Sequence, residues 1–216
     1  WSSDVCSSDL AMDQARRMAA HLQSLAFEPG ARIAILSKNT AHFIMAELAI
    51  WMAGCTTVAI FPTETADTVR YVLDHSEASL LFVGKLDTFD QQQPGIPAGL
   101  PLIAFPLAPK NSYESWDAIT ARTKPLTGKP TRGGTDIAIL MYTSGSTGQP
   151  KGVMHSFERI TAAAEGINND TKNRIGANTR NRMLSYLPLA HVFERAWVES
   201  ASLVNGDTQL FFAESL

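Results

Sequence analysis

The densest concentration of reactive side chains is Tyr142-Thr143-Ser144-Gly145-Ser146-Thr147-Gly148-Gln149-Pro150-Lys151-Gly152, with three glycines, four Ser/Thr hydroxyls and one lysine. Glycine lets a chain turn sharply and bring its N–H groups close to a ligand. Successive N–H groups in such a turn form an anion-binding concavity. Hydroxyls add donors, and lysine adds a mobile positive charge. The guest these residues suit is a polyphosphate. Clusters of Gly, Ser and Thr are also ordinary loops, so placement matters. Ile137-Ala138-Ile139-Leu140-Met141 reads as a strand, and open α/β sheets hold ligands outside the carboxyl ends of their strands. The usual P-loop needs lysine directly after its last loop glycine, followed by a hydroxyl. Here Lys151 comes three residues after Gly148 and precedes Gly152. G-x-G-x-x-G is absent as well, so this is a phosphate loop of another kind.

A second cluster lies at Met183 to Arg195. Leu184-Ser185-Tyr186-Leu187 reads as a strand, and Pro188-Leu189-Ala190 turns into a helix starting near His191. Positions three or four apart share a helix face, which groups His191, Glu194 and Arg195. The plain alternative is a helix-capping histidine beside a solvated pair of charges.

The order Y-T-S-G-S-T-G-x-P-K-G resembles the signature of the adenylate-forming enzymes: acyl-CoA synthetases, luciferase-like ligases and peptide-synthetase adenylation domains. The string S-Y-L-P-L-A-H-V-F-E-R resembles the long-chain fatty acyl-CoA synthetase branch of that family. The resemblance covers almost all of residues 11–216. It implies that the loop wraps the β- and γ-phosphates of ATP, with Ser144, Gly145, Ser146, Thr147, Gly148 and Lys151 in phosphate contact and Thr143 a Mg²⁺ ligand. It implies that His191 lies near the acyl and adenylate pocket and helps position the carboxylate, while Glu194 and Arg195 hold the local helix and pocket wall. Val192, Phe193 and Trp197 are candidates for an apolar tunnel, with core packing at least as good an explanation for each.

The mechanism implied is two-step ligation. A substrate carboxylate attacks the α-phosphate of ATP, releasing pyrophosphate, and the acyl-adenylate then reacts with the thiol of coenzyme A. Oriented N–H groups, hydroxyls, Lys151 and Mg²⁺ would stabilise charge building on the phosphate oxygens. Lys151 is cast as a phosphate clamp and not as a base, because an unshifted lysine is protonated near neutral pH. Three other readings stay open: an adenylating enzyme that loads a carrier protein or another acceptor, one that takes a medium-chain or aromatic carboxylate, and a non-enzymatic nucleotide-binding protein of the same fold.

The elements that must position these groups alternate along the chain. Ala11 to Ala26 has helical spacing, and Pro29-Gly30 ends it. Ala31–Leu36, Thr56–Phe61 and Ser79–Val83 read as strands. Ala41 to Met52 is a largely apolar helix introduced by Ser37-Lys38-Asn39-Thr40, and a further helix runs to about His75. Lys85 to Gly99 is polar and reads as a surface connection. Pro101–Phe105 is a short strand, Tyr113 to Ala121 a short helix, and Lys124 to Gly134 a flexible approach to the phosphate loop. A helix from about Phe157 to Ile167 follows His155-Ser156, and a phosphate at its start would gain from free N–H groups. Thr208–Phe212 is a last strand. This rhythm predicts an α/β fold with mostly parallel sheets covered by helices, matching the front part of the large adenylation domain of acyl-CoA synthetase type.

The chain has 216 residues, is 45% hydrophobic and 18% charged, and carries a net charge of -3. That balance argues against a nucleic-acid partner. The most apolar stretch, Phe43 to Phe61, is interrupted by Glu47, Gly54, Thr56 and Thr57, and reads as buried helix and strand. Residues 1–10 resemble a translated sequencing-adaptor end, and are set aside from the domain at 11–216. Without Cys6, Cys55 is the single cysteine, which suits a reducing compartment. A cytoplasmic location is expected, with the inner face of a membrane as the alternative, given ATP, CoA and long acyl chains as partners. The family's adenine-binding segment, Mg²⁺-binding glutamate, ribose-binding aspartate and C-terminal lysine are not identifiable before Leu216, so the chain is expected to be a front part with little ligase activity of its own.

Overall fold

The structure is a computed structural model that describes residues 8–143, 149–175, 181–206 and 208–213. Helix α1 (Ser8–Ser24) precedes two strand–helix repeats and a third strand: β1 (Arg32–Leu36), α2 (Ala41–Met52), β2 (Thr56–Ile60), α3 (Ala66–His75) and β3 (Leu80–Val83). Then come α4 (Phe89–Gln92) with a 3₁₀ turn (Gln93–Gly95), β4 (Leu102–Ala104), β5 (Glu114–Ser115) and α5 (Trp116–Arg122). The chain continues through β6 (Ile137–Thr143), β7 (Lys151–Ser156), α6 (Phe157–Ile175) and β8 (Asn181–Ser185). It ends in a continuous helical run and a strand: α7 (Val192–Glu194), a π-helical stretch (Arg195–Ser200), α8 (Ala201–Asn205) and β9 (Thr208–Phe212).

Seven strands form one sheet in the order β5-β4-β3-β1-β2-β6-β7, parallel except for β7. Strands β8 and β9 form a separate parallel pair. Both faces of the large sheet are covered, and the alternation along β1 shows how. Ile33 and Ile35 pack with Met18, Phe43, Ile50 and Trp116 on the face of α1, α2 and α5. Ala34 and Leu36 pack with Val69, Val72 and Leu73 of α3 on the other. Burial on both sides explains why β1 to β3 are rich in apolar residues on both faces, with Arg32 at the start of β1 and Thr56 and Thr57 in β2 as the polar positions. Thr40 caps α2 by accepting from the Phe43 N–H at 3.3 Å, and Thr65 caps α3 in the same way through Thr68.

Four expectations change. Lys151–Ser156, for which the sequence predicts no strand, is an antiparallel strand, and α6 begins at Phe157 as expected but runs on to Ile175 instead of Ile167. Because β7 returns along β6 to pair Ser156 with Ile137, the start of α6 sits at the opposite end of the sheet from the phosphate loop. Its first N–H groups are already taken: Phe157 donates to the Asp136 carbonyl at 3.0 Å and Glu158 to that of Gly134 at 2.9 Å. That helix start therefore cannot contribute to the loop. The Lys85–Gly99 connection is also more than surface chain. Phe89 and Gln92 are buried, and Gln92 Nε2 donates to the carbonyls of Pro62 and Glu64 at 2.8 and 3.1 Å. Finally, the strand expected at Leu184–Leu187 lies earlier, at Asn181–Ser185, with Tyr186 and Leu187 already in the turn. Ser8 to Leu10, within the segment set aside on sequence, form the first turn of α1.

Candidate active site at the carboxyl edge of the sheet

Strand β6 is parallel to β2, so both present their carboxyl ends at the same edge. Strand β7 runs back from that edge, with Thr143 paired to Lys151 and Tyr142 to Gly152. The two feet of the glycine loop are thus held side by side in ladder register. Thr143 and Lys151 are both exposed there. Ser144, Gly145, Ser146, Thr147 and Gly148 lie outside the described residues.

The strand beneath the loop is firmly tied down. Met141 is buried on one face, where its cluster meets Trp51, Phe157 and Ile160. Tyr142 is buried on the other, with its hydroxyl 2.8 Å from His75 Nδ1. Its ring sits edge-on to those of His75 and Tyr71, at centroid distances of 5.7 and 6.4 Å. Burial, and then the neighbouring Tyr71, push the Tyr142 phenol up to about 12. Trp51 Nε1 donates to the Ala138 carbonyl at 3.0 Å and Thr56 Oγ1 to that of Ile137 at 2.8 Å, fixing the other end of β6 to α2 and β2. Arg132 closes this lower end by donating to the Cys55 carbonyl at 2.7 Å.

His191 lies at the same edge. Its ring is 6.4 Å from that of Phe61, the residue following β2, and the β2–β6 register continued by two residues brings Phe61 level with Thr143. The His191 Nδ1 accepts from the Phe193 N–H at 3.1 Å, which makes it the N-cap of α7 and leaves Nε2 as the outward nitrogen. The side chain is exposed.

Beneath His191 the charges are not solvated. Glu194, Arg195 and Glu199 are each 1–2% exposed, and Glu47 of α2 is fully buried. Arg195 Nη1 bonds both carboxylate oxygens of Glu47, and its guanidinium lies 5.3 Å over the Phe43 ring. Its Nε donates to the Leu189 carbonyl at 2.8 Å. Glu199 stands 3.6 Å from the same Nη1. Burial, and then the Glu47 carboxylate, push the Glu199 pKa well up. Burial also raises that of Glu194, against hydrogen bonds from Ser185, Tyr186 and Leu187. A buried ion pair that loses one partner leaves an uncompensated charge, at a cost of about 3–5 kcal/mol. The reading of Glu194 and Arg195 as solvated charges is therefore wrong, and their role in holding the helix and the wall of the site fits the geometry.

Two further residues act here that the linear sequence did not single out. Glu47 is visible in the sequence only as a charge interrupting an apolar helix. Asn39 reads only as a turn residue, yet its Nδ2 donates to Ser185 Oγ and the Leu187 carbonyl at 2.8 and 2.6 Å, and its Oδ1 accepts from the Leu189 N–H at 2.8 Å. Val192, Phe193 and Trp197 are exposed, with the Phe193 and Trp197 rings stacked at 5.7 Å. Core packing within this chain therefore does not account for them.

A doubly covered, mostly parallel sheet with a glycine-rich connection and a histidine turn at its carboxyl edge defines an α/β protein whose ligand edge is the one that gathers these residues. The AMP-binding enzyme family model matches residues 10–216, and the chain belongs to that family. It is 31% identical over 204 residues to the long-chain-fatty-acid–CoA ligase FadD15 of Mycobacterium bovis, a match covering 91% of this chain and 33% of that protein. It is 32% identical over 190 residues to the human long-chain-fatty-acid–CoA ligase ACSBG2, covering 82% of this chain and 28% of that protein. The chain thus spans about a third of the length of these relatives. Among solved structures, a benzoate CoA ligase from Burkholderia xenovorans superimposes with a TM-score of 0.80 at 24% identity, over 97% of this chain and 40% of that one. An anthranilate CoA ligase bound to anthranoyl-AMP gives 0.81 at 20% identity, over 94% and 39%.

Proposed function

We propose that this chain is the ATP-phosphate-binding front third of a ligase that activates a long-chain fatty acid as its acyl-adenylate and passes it to coenzyme A. The observation that carries the reading is the shared edge, where the hairpin feet Thr143 and Lys151 stand level with the Phe61–His191 contact. A nucleotide whose terminal phosphates lie in the 144–148 loop would have its α-phosphate within reach of a carboxylate held near His191. The long-chain assignment is supported by the relatives at about 30% identity, which are long-chain-fatty-acid–CoA ligases, and by the exposed apolar surface of Val192, Phe193 and Trp197 beside His191.

In this reading each group has a defined task. Loop N–H groups and hydroxyls grip the β- and γ-phosphates. Lys151 stays protonated and draws negative charge toward the loop. His191 Nε2 contacts the substrate carboxylate and orients it, since its Nδ1 is held by the Phe193 N–H. Thr143 offers one exposed hydroxyl oxygen, a donor that suits Mg²⁺, which binds few protein ligands and fills its other positions with phosphate and water. Bound there, the ion would neutralise phosphate charge. A location in the cytoplasm, with peripheral contact to a membrane that supplies the fatty acid, is part of the same proposal. Among the described residues no helix is long and apolar enough to cross a membrane.

The test is pyrophosphate release by the complete ligase with fatty acids of graded chain length, ATP, Mg²⁺ and CoA. Lys151→Ala and Thr143→Ala should lower kcat/KM for ATP by about 100-fold, the usual scale for removing one charge-stabilising contact. Turnover indifferent to both substitutions, or highest with short or aromatic acids, would reject the assignment.

A further inference from the structure

The turn that carries His191 is held by side chains from a distant part of the chain. Leu189, buried beneath α2, has its N–H bound by Asn39 and its carbonyl bound by Arg195. Asn39 also takes the Leu187 carbonyl and Ser185 Oγ, so one amide spans the turn from the end of β8 to Leu189. With its Nη1 engaged by Glu47, the rigid planar guanidinium of Arg195 aims its Nε at Leu189. From Leu189 the geometry passes to His191 over two residues. The His191 N–H donates to the Pro188 carbonyl at 2.8 Å, and its own carbonyl accepts from the Arg195 N–H at 3.1 Å.

Stability alone is a poor explanation for this arrangement. A buried ion pair is often replaceable by apolar residues of similar volume with no loss of stability. Glu47 sits in an apolar helix, and its partner is 148 residues away. What the pair provides that an apolar contact cannot is a direction for Arg195 Nε.

We propose that Asn39 and Glu47, the latter acting through Arg195, are positioning residues that set the location and ring orientation of His191. The proposal rests on the reading of His191 as a carboxylate contact, but its structural half can be tested separately.

Two variants suffice. Glu47→Leu combined with Arg195→Met removes both charges of the pair together, keeps the core filled and leaves Glu199 as a carboxyl that burial already pushes toward its neutral form, and Asn39→Ala removes the second anchor without touching the pair. In the 216-residue chain, the His191 ring nitrogens would be followed by ¹⁵N NMR, assigned with His191→Ala. In the complete ligase, KM for the fatty acid, KM for ATP and kcat would be measured. The expected result is a melting temperature of the double variant close to that of the parent, a displaced His191 Nδ1 signal in both variants, and a rise of about tenfold or more in fatty-acid KM. The KM for ATP should change by less than about twofold, on the same reasoning that misplacement is local to the carboxylate. Unchanged His191 signals in both variants would overturn the positioning role. If the double variant failed to fold, Asn39→Ala alone would still decide. Displaced signals with normal kinetics in His191→Ala would keep the positioning and reject the catalytic reading of His191.

Discussion

Replacing Tyr142 with phenylalanine removes one oxygen atom at the foot of the phosphate loop. In the native chain that oxygen is 2.8 Å from His75 Nδ1. Loss of a partly buried hydrogen bond costs about 1 kcal/mol, which for a domain of this size lowers the melting temperature by about 2–4 °C. The pH dependence is more diagnostic. Burial and the neighbouring Tyr71 push the phenol up to about 12, against about 10 for free tyrosine. The fold therefore prefers the neutral phenol. That preference contributes fully below pH 10 and is lost as pH climbs through about 12. A displacement of this size is worth on the order of 2 kcal/mol. Phenylalanine has nothing to ionise, so Tyr142→Phe should be the less stable form at neutral pH, and the gap should close or reverse as pH approaches about 11. Urea unfolding at a series of pH values reads this directly. Titration of tyrosinate absorbance should also lose the step at about 12. A gap constant from neutral to alkaline pH would refute the account of Tyr142 as a buried phenol clamping the loop's strand.

Two other outcomes follow from the buried groups. Glu199→Gln should stabilise the chain at about pH 8, because a carboxyl with a raised pKa favours folding below the ordinary carboxylate value and loses that contribution as pH rises through the raised one. Melting curves of variant and parent should converge toward about pH 4, and parallel curves would contradict the burial of Glu199 beside Glu47. Cys55 is buried, and burial raises its pKa against the opposing pull of Arg132. Its reaction with a disulfide reagent should be at least about tenfold slower in the native chain than in denaturant, and equal rates would place the thiol at the surface.

Much of the sheet was legible because its signals are local. Strands β1, β2 and β3 are short, mainly apolar or β-branched runs, and Thr40 and Thr65 cap the helices that follow β1 and β2. Strand β7 was missed because Lys-Gly-Val-Met-His-Ser has neither a continuous apolar run nor a buried alternating face; Val153 and Met154 are both exposed. The candidate site divides the same way. Its loop feet and His191 come from contiguous motifs, whereas the groups that hold the histidine turn do not. Asn39 bonds residues 146 to 150 positions away, and Glu47 binds a guanidinium 148 positions away. Nothing in the residues around Glu47 names its partner. The only sign was a charge where an apolar helix should have none, and a buried charge demands an ionic or hydrogen-bonded mate.

The hairpin that frames the loop also makes β7 the last strand of the large sheet among the described residues. One row of its backbone donors and acceptors faces no further strand of that sheet, and Met154 is 61% exposed beside it. An unprotected edge with apolar side chains is a template for another chain to add to. For this polypeptide on its own, the pairing of Thr143 with Lys151 therefore comes with an edge at which another chain could add. A charge introduced at Met154 should lower any concentration-dependent association through that edge.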